Sequence, residues 1–217
     1  MFNYLRNILI ILSLHACSTS KPENGWQYEA TRMSKNYQNN FIQNKTLRAS
    51  LDLKHARELA KRSANLEPLI NIELTACGME ISALNTSECT EASKLLRLQA
   101  NDEQQAYLHL LLLQIQLDEI KYLPQQYQSF TRSLLNKDDL SINKEIASMK
   151  PFSSKLIASS LSKELLNDEN IDQLIQELSF KGFKRPLLSW LRFQMDKEKD
   201  KVKKAHLKAK IDVLTSD

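Results

Sequence analysis

An all-α fold is what this sequence predicts, on two observations. The 217 residues include only 3 glycines and 5 prolines, whereas strand-rich folds need turn signals roughly every 8–12 positions. The apolar residues instead recur at spacings of three and four, the period of a helix with one buried face. With 42% hydrophobic residues, the chain carries enough apolar surface to bury a core and lacks the composition of a disordered polymer. About ten helices with short connections follow from the pattern, and short connections make sequence neighbours antiparallel. The expected architecture is a single domain over 26–217, built of antiparallel hairpins as a globular bundle or a short repeat-like stack.

Trp26, Ala30, Met33, Tyr37 and Phe41 mark the first helix as one stripe. Leu53, Ala56, Ala60, Ser63 and Ala64 mark a second, with side chains small enough for a neighbouring helix to come close. Pro68 stands where helix starts favour proline, ahead of Leu69, Ile72, Ala76, Met79 and Ala83. Ser87 is placed to cap a fourth helix bearing Ala92, Leu95, Leu96 and Leu98; Asp102 is placed to cap a fifth bearing Ala106, Leu110, Leu113 and Leu117. Residues 106–117 are the most apolar stretch of the series. They are too short for a bilayer core, which takes ~20 residues, and are expected to form the central core helix.

Pro124 opens a sixth helix with Tyr127, Phe130 and Leu134 on one face, and Asp138 caps a short seventh. Pro151 breaks the chain before Leu156, Ile157, Leu161 and Leu165. Asp168 caps a ninth helix carrying Ile171, Leu174, Ile175 and Leu178, which a left-handed cap at Gly182 should close. Pro186 begins the last and longest helix, rich first in Leu187, Trp190, Leu191 and Phe193. Beyond Asp196 only Val202, Ala205, Ala209 and Val213 continue a narrow apolar stripe.

The spacing Ala56-x3-Ala60-x2-Ser63-x4-Pro68 resembles the second helix of a tetratricopeptide repeat. Asn40, Gln43 and Asn44 depart from that pattern upstream, and no second copy follows at a period of ~34. The fragment over 56–68 is read as helical-hairpin packing, without family membership.

Charge is concentrated late in the chain. Between Lys181 and Lys210 stand eleven Lys or Arg residues against Asp196, Glu198 and Asp200. On a continuous helix, Lys197, Lys201, Lys204 and Lys208 share one face, and they are the candidate contacts for an acidic protein surface or anionic headgroup. The alternative is a solvated helix whose late lysines face the negative end of its dipole.

Little else points to chemistry. His55, His109 and His206 fall in no H-E-x-x-H or zinc-finger spacing. His55 and Glu58 share a helix face as a surface pair or two stray metal ligands, and His109 reads as a hydrogen-bonded core histidine or a catalytic one. No nucleophile elbow and no glycine-rich phosphate loop is present. Asp138-Asp139 and Asp168-Glu169 stand at helix starts, where capping accounts for them. No metal, cofactor or catalytic residue is expected.

The N-terminus has the layout of a secretory signal: Arg6, then Ile8-Leu9-Ile10-Ile11-Leu12-Ser13-Leu14. The tetrapeptide Leu14-His15-Ala16-Cys17 resembles the lipobox of bacterial lipoproteins, matching at Leu14, Ala16 and Cys17 and departing at His15, bulkier and more polar than the pattern. The resemblance implies removal of residues 1–16 and acylation of Cys17, each buried CH₂ of an acyl chain contributing ~0.8 kcal/mol to membrane anchoring. Ser18 in place of Asp after the cysteine implies the periplasmic face of the outer membrane. Residues 17–25 are then the lipidated cysteine and a polar tether, Ser18 to Gly25, reaching at most about 28 Å at ~3.5 Å per residue.

Export leaves Cys77 and Cys89 as an even pair, which invites a disulfide; two buried thiols are the alternative. The absence of a C-x-x-C argues against redox catalysis. The favoured functional expectation is a membrane-anchored, periplasm-facing helical lipoprotein that binds or scaffolds a protein partner in a cell-envelope assembly, without nucleic acid and without catalysis. The alternatives are a small-ligand or peptide carrier with an apolar pocket near 106–117, or an enzyme with a dispersed site.

Overall fold

A computed structural model describes residues 25–99 and 101–216. The signal segment, Cys17 and most of the tether lie outside the described residues. Within them the chain forms eleven α-helices and two short 3-10 helices with no strand, the all-α bundle expected. No helix among the described residues is long and apolar enough to cross a membrane.

Helices α1 (Gly25–Ile42) and α2 (Thr46–Ala60) make the first hairpin, turning at Asn44 with φ +63°. The predicted stripe of α1 is buried at Ala30, Met33, Tyr37 and Phe41. Ala49, Ala56 and Ala60 of α2 are buried, and their small volume lets the two helices lie close, as the alanine spacing suggested. Ser63 and Ala64 fall beyond the end of α2.

The hairpin lies on α3 (Glu67–Ser82), with Met33, Ala56, Leu59, Leu69 and Ile72 in one cluster and Tyr37, Phe41, Ala76 and Met79 in another. Arg185 ties the hairpin to a later helix: its guanidinium sits 4.2 Å from the Phe41 ring centroid and donates to Thr46 Oγ1 at 2.7 Å.

The central helix is α3, not the fifth. It packs against α1, α2, α4 (Thr90–Leu96), α5 (Asp102–Leu111) and α8 (Phe152–Leu161), and eleven of its sixteen residues are buried. Gly78 permits the crossing. A Cβ there would lie 3.2 Å from Ile157 Cδ1 and 3.4 Å from the Tyr107 hydroxyl.

Helix α5 ends at Leu111, six residues short of expectation. Leu113 turns left-handed at φ +56°, and Gln114 N donates to the His109 carbonyl. Leu113 and Leu117 are consequently 57% and 69% exposed, and a 3-10 helix, Leu117–Tyr122, follows. Glu119 holds this corner by accepting from the Gln116 backbone N–H at 2.8 Å and pairing with His109 Nδ1 at 2.5 Å.

Caps differ from expectation by one or two residues in three places. Asn101 and Asn167 cap α5 and α9 (Asp168–Phe180) through their side chains, leaving Asp102 and Asp168 in first turns, where their charge suits the helix dipole. Helix α4 is preceded by Cys89 at φ +47°, and Ser87 instead accepts from the Cys89 N–H at 3.3 Å. Asp138 caps α7 (Asp139–Ser148) by accepting from Ser141 N, and Pro124 and Pro151 precede α6 (Gln125–Leu135) and α8 as the sequence indicated.

The last segment is two helices: α10 (Lys184–Lys197) and α11 (Lys201–Thr215). Glu198 and Asp200 are extended, and the Asp200 carboxylate accepts from Val202 N and Lys203 N. An aspartate at this point satisfies the free amides of a new helix better than it serves inside an old one.

Candidate functional site

The break at Asp200 organises the C-terminal surface. Gly182, at φ +67°, closes α9 and sends α10 back along it, and the Asp200 turn sends α11 back along α10. Helix α10 packs against both. Asp168, Ile171 and Asp172 share one end of the intervening groove with Lys203, His206 and Leu207, while Ile175 and Ser179 share the other with Ala209, Val213 and Leu214. Helices α9 and α11 therefore run in the same direction, as two walls of a groove floored by Leu187, Leu191 and Gln194 of α10.

The groove has an apolar end of about 510 Å³ and a charged end of about 540 Å³, with His206 and Lys210 lining both. Val213, 73% exposed, lines the apolar end. Lys197, Lys199 and Lys203 crowd the charged end beside Asp168, Asp172 and Glu198. Gln194 Nε2 donates to Asp172 Oδ1 at 2.6 Å. The Asp200 carboxyl is held below its ordinary value by the backbone amides of Lys203 and Val202.

Helix α11 is an edge helix. Ile211 is its single buried side chain, with Leu207 and Leu214 half-buried beside it. The stripe Val202, Ala205, Ala209 and Val213 points to solvent instead of the core, because Leu207, Ile211 and Leu214 occupy the inward phase of the helix. The four candidate lysines do not lie on one continuous helix. Lys197 ends α10, 4.9 Å from the Phe193 ring and 3.6 Å from Glu164 Oε2. Lys201, Lys204 and Lys208 follow on α11, all exposed. Lys201, Lys204 and Lys208 line neither end of the groove; Lys199, Lys203 and Lys210 do, and sequence reasoning missed them because Lys203 and Lys210 occupy the opposite phase of α11.

Other features have evident structural work. Cys77 and Cys89 form a disulfide with Cα atoms 5.3 Å apart, fastening the start of α4 to α3. A cleft of about 220 Å³ beside it contains Arg57, Glu73, Glu80 and Tyr37; burial, then the Glu80 charge, pushes the Tyr37 hydroxyl well up. His109 is held between Gln105 and Glu119, a clamp on the α5 corner. His55 is exposed, and Glu58 faces Lys54 at 4.0 Å.

The side chains of 106–117 line none of the five principal clefts; Leu108, Leu110, Leu111 and Ile115 are packed into the main core. Among the described residues, no three His, Cys, Asp or Glu side chains gather as a metal site. No family model matches the chain, and neither a curated protein nor a solved structure matches it.

Proposed function

We propose that this protein is a lipid-anchored, periplasm-facing component of a cell-envelope assembly, held at the outer membrane through Cys17, that docks a protein partner through its basic C-terminal unit. The observation carrying this reading is α11. A helix rich in lysine, with one buried side chain and an exposed apolar stripe, flanks an open groove and is poorly occupied by its own fold. Surfaces of that kind mark interaction sites. The lipobox resemblance at Leu14, Ala16 and Cys17 supports the envelope location, and the short tether would keep the body near its membrane.

Crosslinking in intact cells followed by affinity purification tests this. Reversal of Lys197, Lys201, Lys204 and Lys208 to Glu removes specific partners while helical circular dichroism is retained. An unchanged partner set would sink the docking reading and leave the lysines as solvated surface.

A further inference from the structure

We infer that the groove between α9 and α11 receives a single amphipathic helix of another protein, its apolar stripe on the α10 floor and its acidic flank against α11. This rests on the docking reading above and names the partner's chemistry.

Three observations carry it. The first is the incomplete packing of α11. Isolated helices of up to ~12–15 residues are marginal in water, yet α11 has fifteen residues and buries only Ile211. Val213, at the apolar end of the groove, remains 73% exposed. A helix laid along it would bury the side chains that its own fold leaves in water.

The second is geometry. Two parallel walls on either side of an antiparallel floor leave the position that a fourth helix fills in a bundle, with axes ~8–10 Å apart. The lining stretch of α11 from Lys203 to Leu214 is about 17 Å long at ~1.5 Å per residue, three turns of a docked helix. Ile175, Leu187, Leu191 and Leu214 give it an apolar bed, the arrangement that helix-in-groove recognition uses.

The third is charge. Among the described residues, Lys203 and Lys210 on the α11 wall, and Lys199 in the turn before it, line the groove with no carboxylate within ion-pair distance. The opposite wall carries Asp168, in the first turn of α9, and Asp172, which accepts from Gln194, so the two walls differ in sign. Lys203 and Lys210 therefore select acidic residues on the flank of the occupant laid against α11. A second copy is disfavoured, since an isologous contact would set α11 lysines against themselves.

The test uses the full chain in phosphatidylcholine nanodiscs, with empty discs as blank. The probe is an 18-residue helical peptide with leucines at three- and four-residue spacing and glutamates elsewhere; its twin carries lysines for glutamates. The glutamate peptide should bind at least about tenfold tighter than its twin, and Lys203→Glu with Lys210→Glu should cost about tenfold or more, equivalent to ~1.4 kcal/mol. Val213→Asp, at an exposed position that folding does not need, should weaken binding too, and bound peptide should slow amide exchange across 201–215.

Equal binding of the two peptides, or a glutamate peptide indifferent to all three substitutions, overturns the inference. So does self-association of the protein through α11, or binding to phosphatidylglycerol discs in place of the peptide, which would make the occupant a second copy or a lipid surface. Loss of cellular partners on lysine reversal, combined with no peptide binding, overturns the helical occupant and leaves the docking function standing.

Discussion

Arg57 of α2 and Glu73 of α3 form a two-pronged ion pair, Nε to Oε1 and Nη2 to Oε2, both 2.6 Å. Glu73 is buried at 7% side-chain exposure, while Arg57 keeps 35%. The pair fixes the N-terminal hairpin on the central helix, and the facing carboxylate holds the Arg57 guanidinium above its ordinary value. Arg57→Ala strands a buried carboxylate and should cost about 2–3 kcal/mol, below the ~3–5 of a fully buried pair because Arg57 is partly solvated. Arg57→Met with Glu73→Leu should recover most of that loss in urea denaturation, since no charge then stays buried.

The Cys77–Cys89 bridge, with a sequence separation of 12, should contribute ~3 kcal/mol in the chain-entropy account. Paired serine substitutions should lower stability by that amount and loosen α4 first. Non-reducing peptide mapping of protein from the periplasmic side should recover the linked peptides; recovery of both cysteines as free thiols would contradict the bridge.

Asp200 gives α11 a pH dependence. Its folded-state carboxyl lies below the ordinary value of 3.8 because the Lys203 and Val202 amides stabilise the anion. The stabilisation of α11 is therefore present above that ordinary value and is lost as pH falls through the folded-state value. Amide exchange at 202–205 should accelerate on acidification. Asp200→Asn should keep the cap and abolish the acid dependence, since asparagine caps well without titrating.

At Gly78 the helix crossing leaves room for a hydrogen and little else. Gly78→Ala should stay within about 1 kcal/mol of the parent, the helix-propensity gain of up to ~1 kcal/mol being offset by a methyl 3.2 Å from Ile157 Cδ1. Gly78→Val should cost about 1–3 kcal/mol by overpacking against Ile157 and Tyr107. Thermal unfolding of the two variants separates propensity from packing.

Acylation of Cys17 is decided by mass spectrometry of protein from membranes. The expected product begins at Cys17 with acyl mass attached, and Cys17→Ala should release the body from the membrane fraction. A mature N-terminus elsewhere with unmodified Cys17 would overturn the anchoring proposal.

Much of the helical framework was legible because its signals are local. The stripe from Ala30 to Phe41, the prolines at 68, 124 and 151, the Asp138 cap and the Gly182 turn each act within one or two helical turns of their own position. The misreadings share a cause. Leu113 and Leu117 continue a helical period in sequence, yet no glycine or proline announces the left-handed turn at Leu113 that ends α5. Asp200 offered a capping side chain within a run of good helix formers, and periodicity passed straight over it. Val202, Ala205, Ala209 and Val213 read as an inward stripe because they are the regular apolar series, although Leu207, Ile211 and Leu214 face α10.

What the sequence by itself determined is the all-α class, the approximate starts of most helices and the pairing of Cys77 with Cys89 as the candidate bridge. Propensity, capping and chain proximity are properties of neighbouring residues. Tertiary structure alone decided that α3 is the central helix, that the lysines divide between α10 and α11, and that a groove opens between α9 and α11. Each depends on which helices dock against which, and that follows from summed apolar burial between residues far apart in the chain, Gly78 against Ile157 or Leu191 against Leu214, for which a single helix period carries no signal.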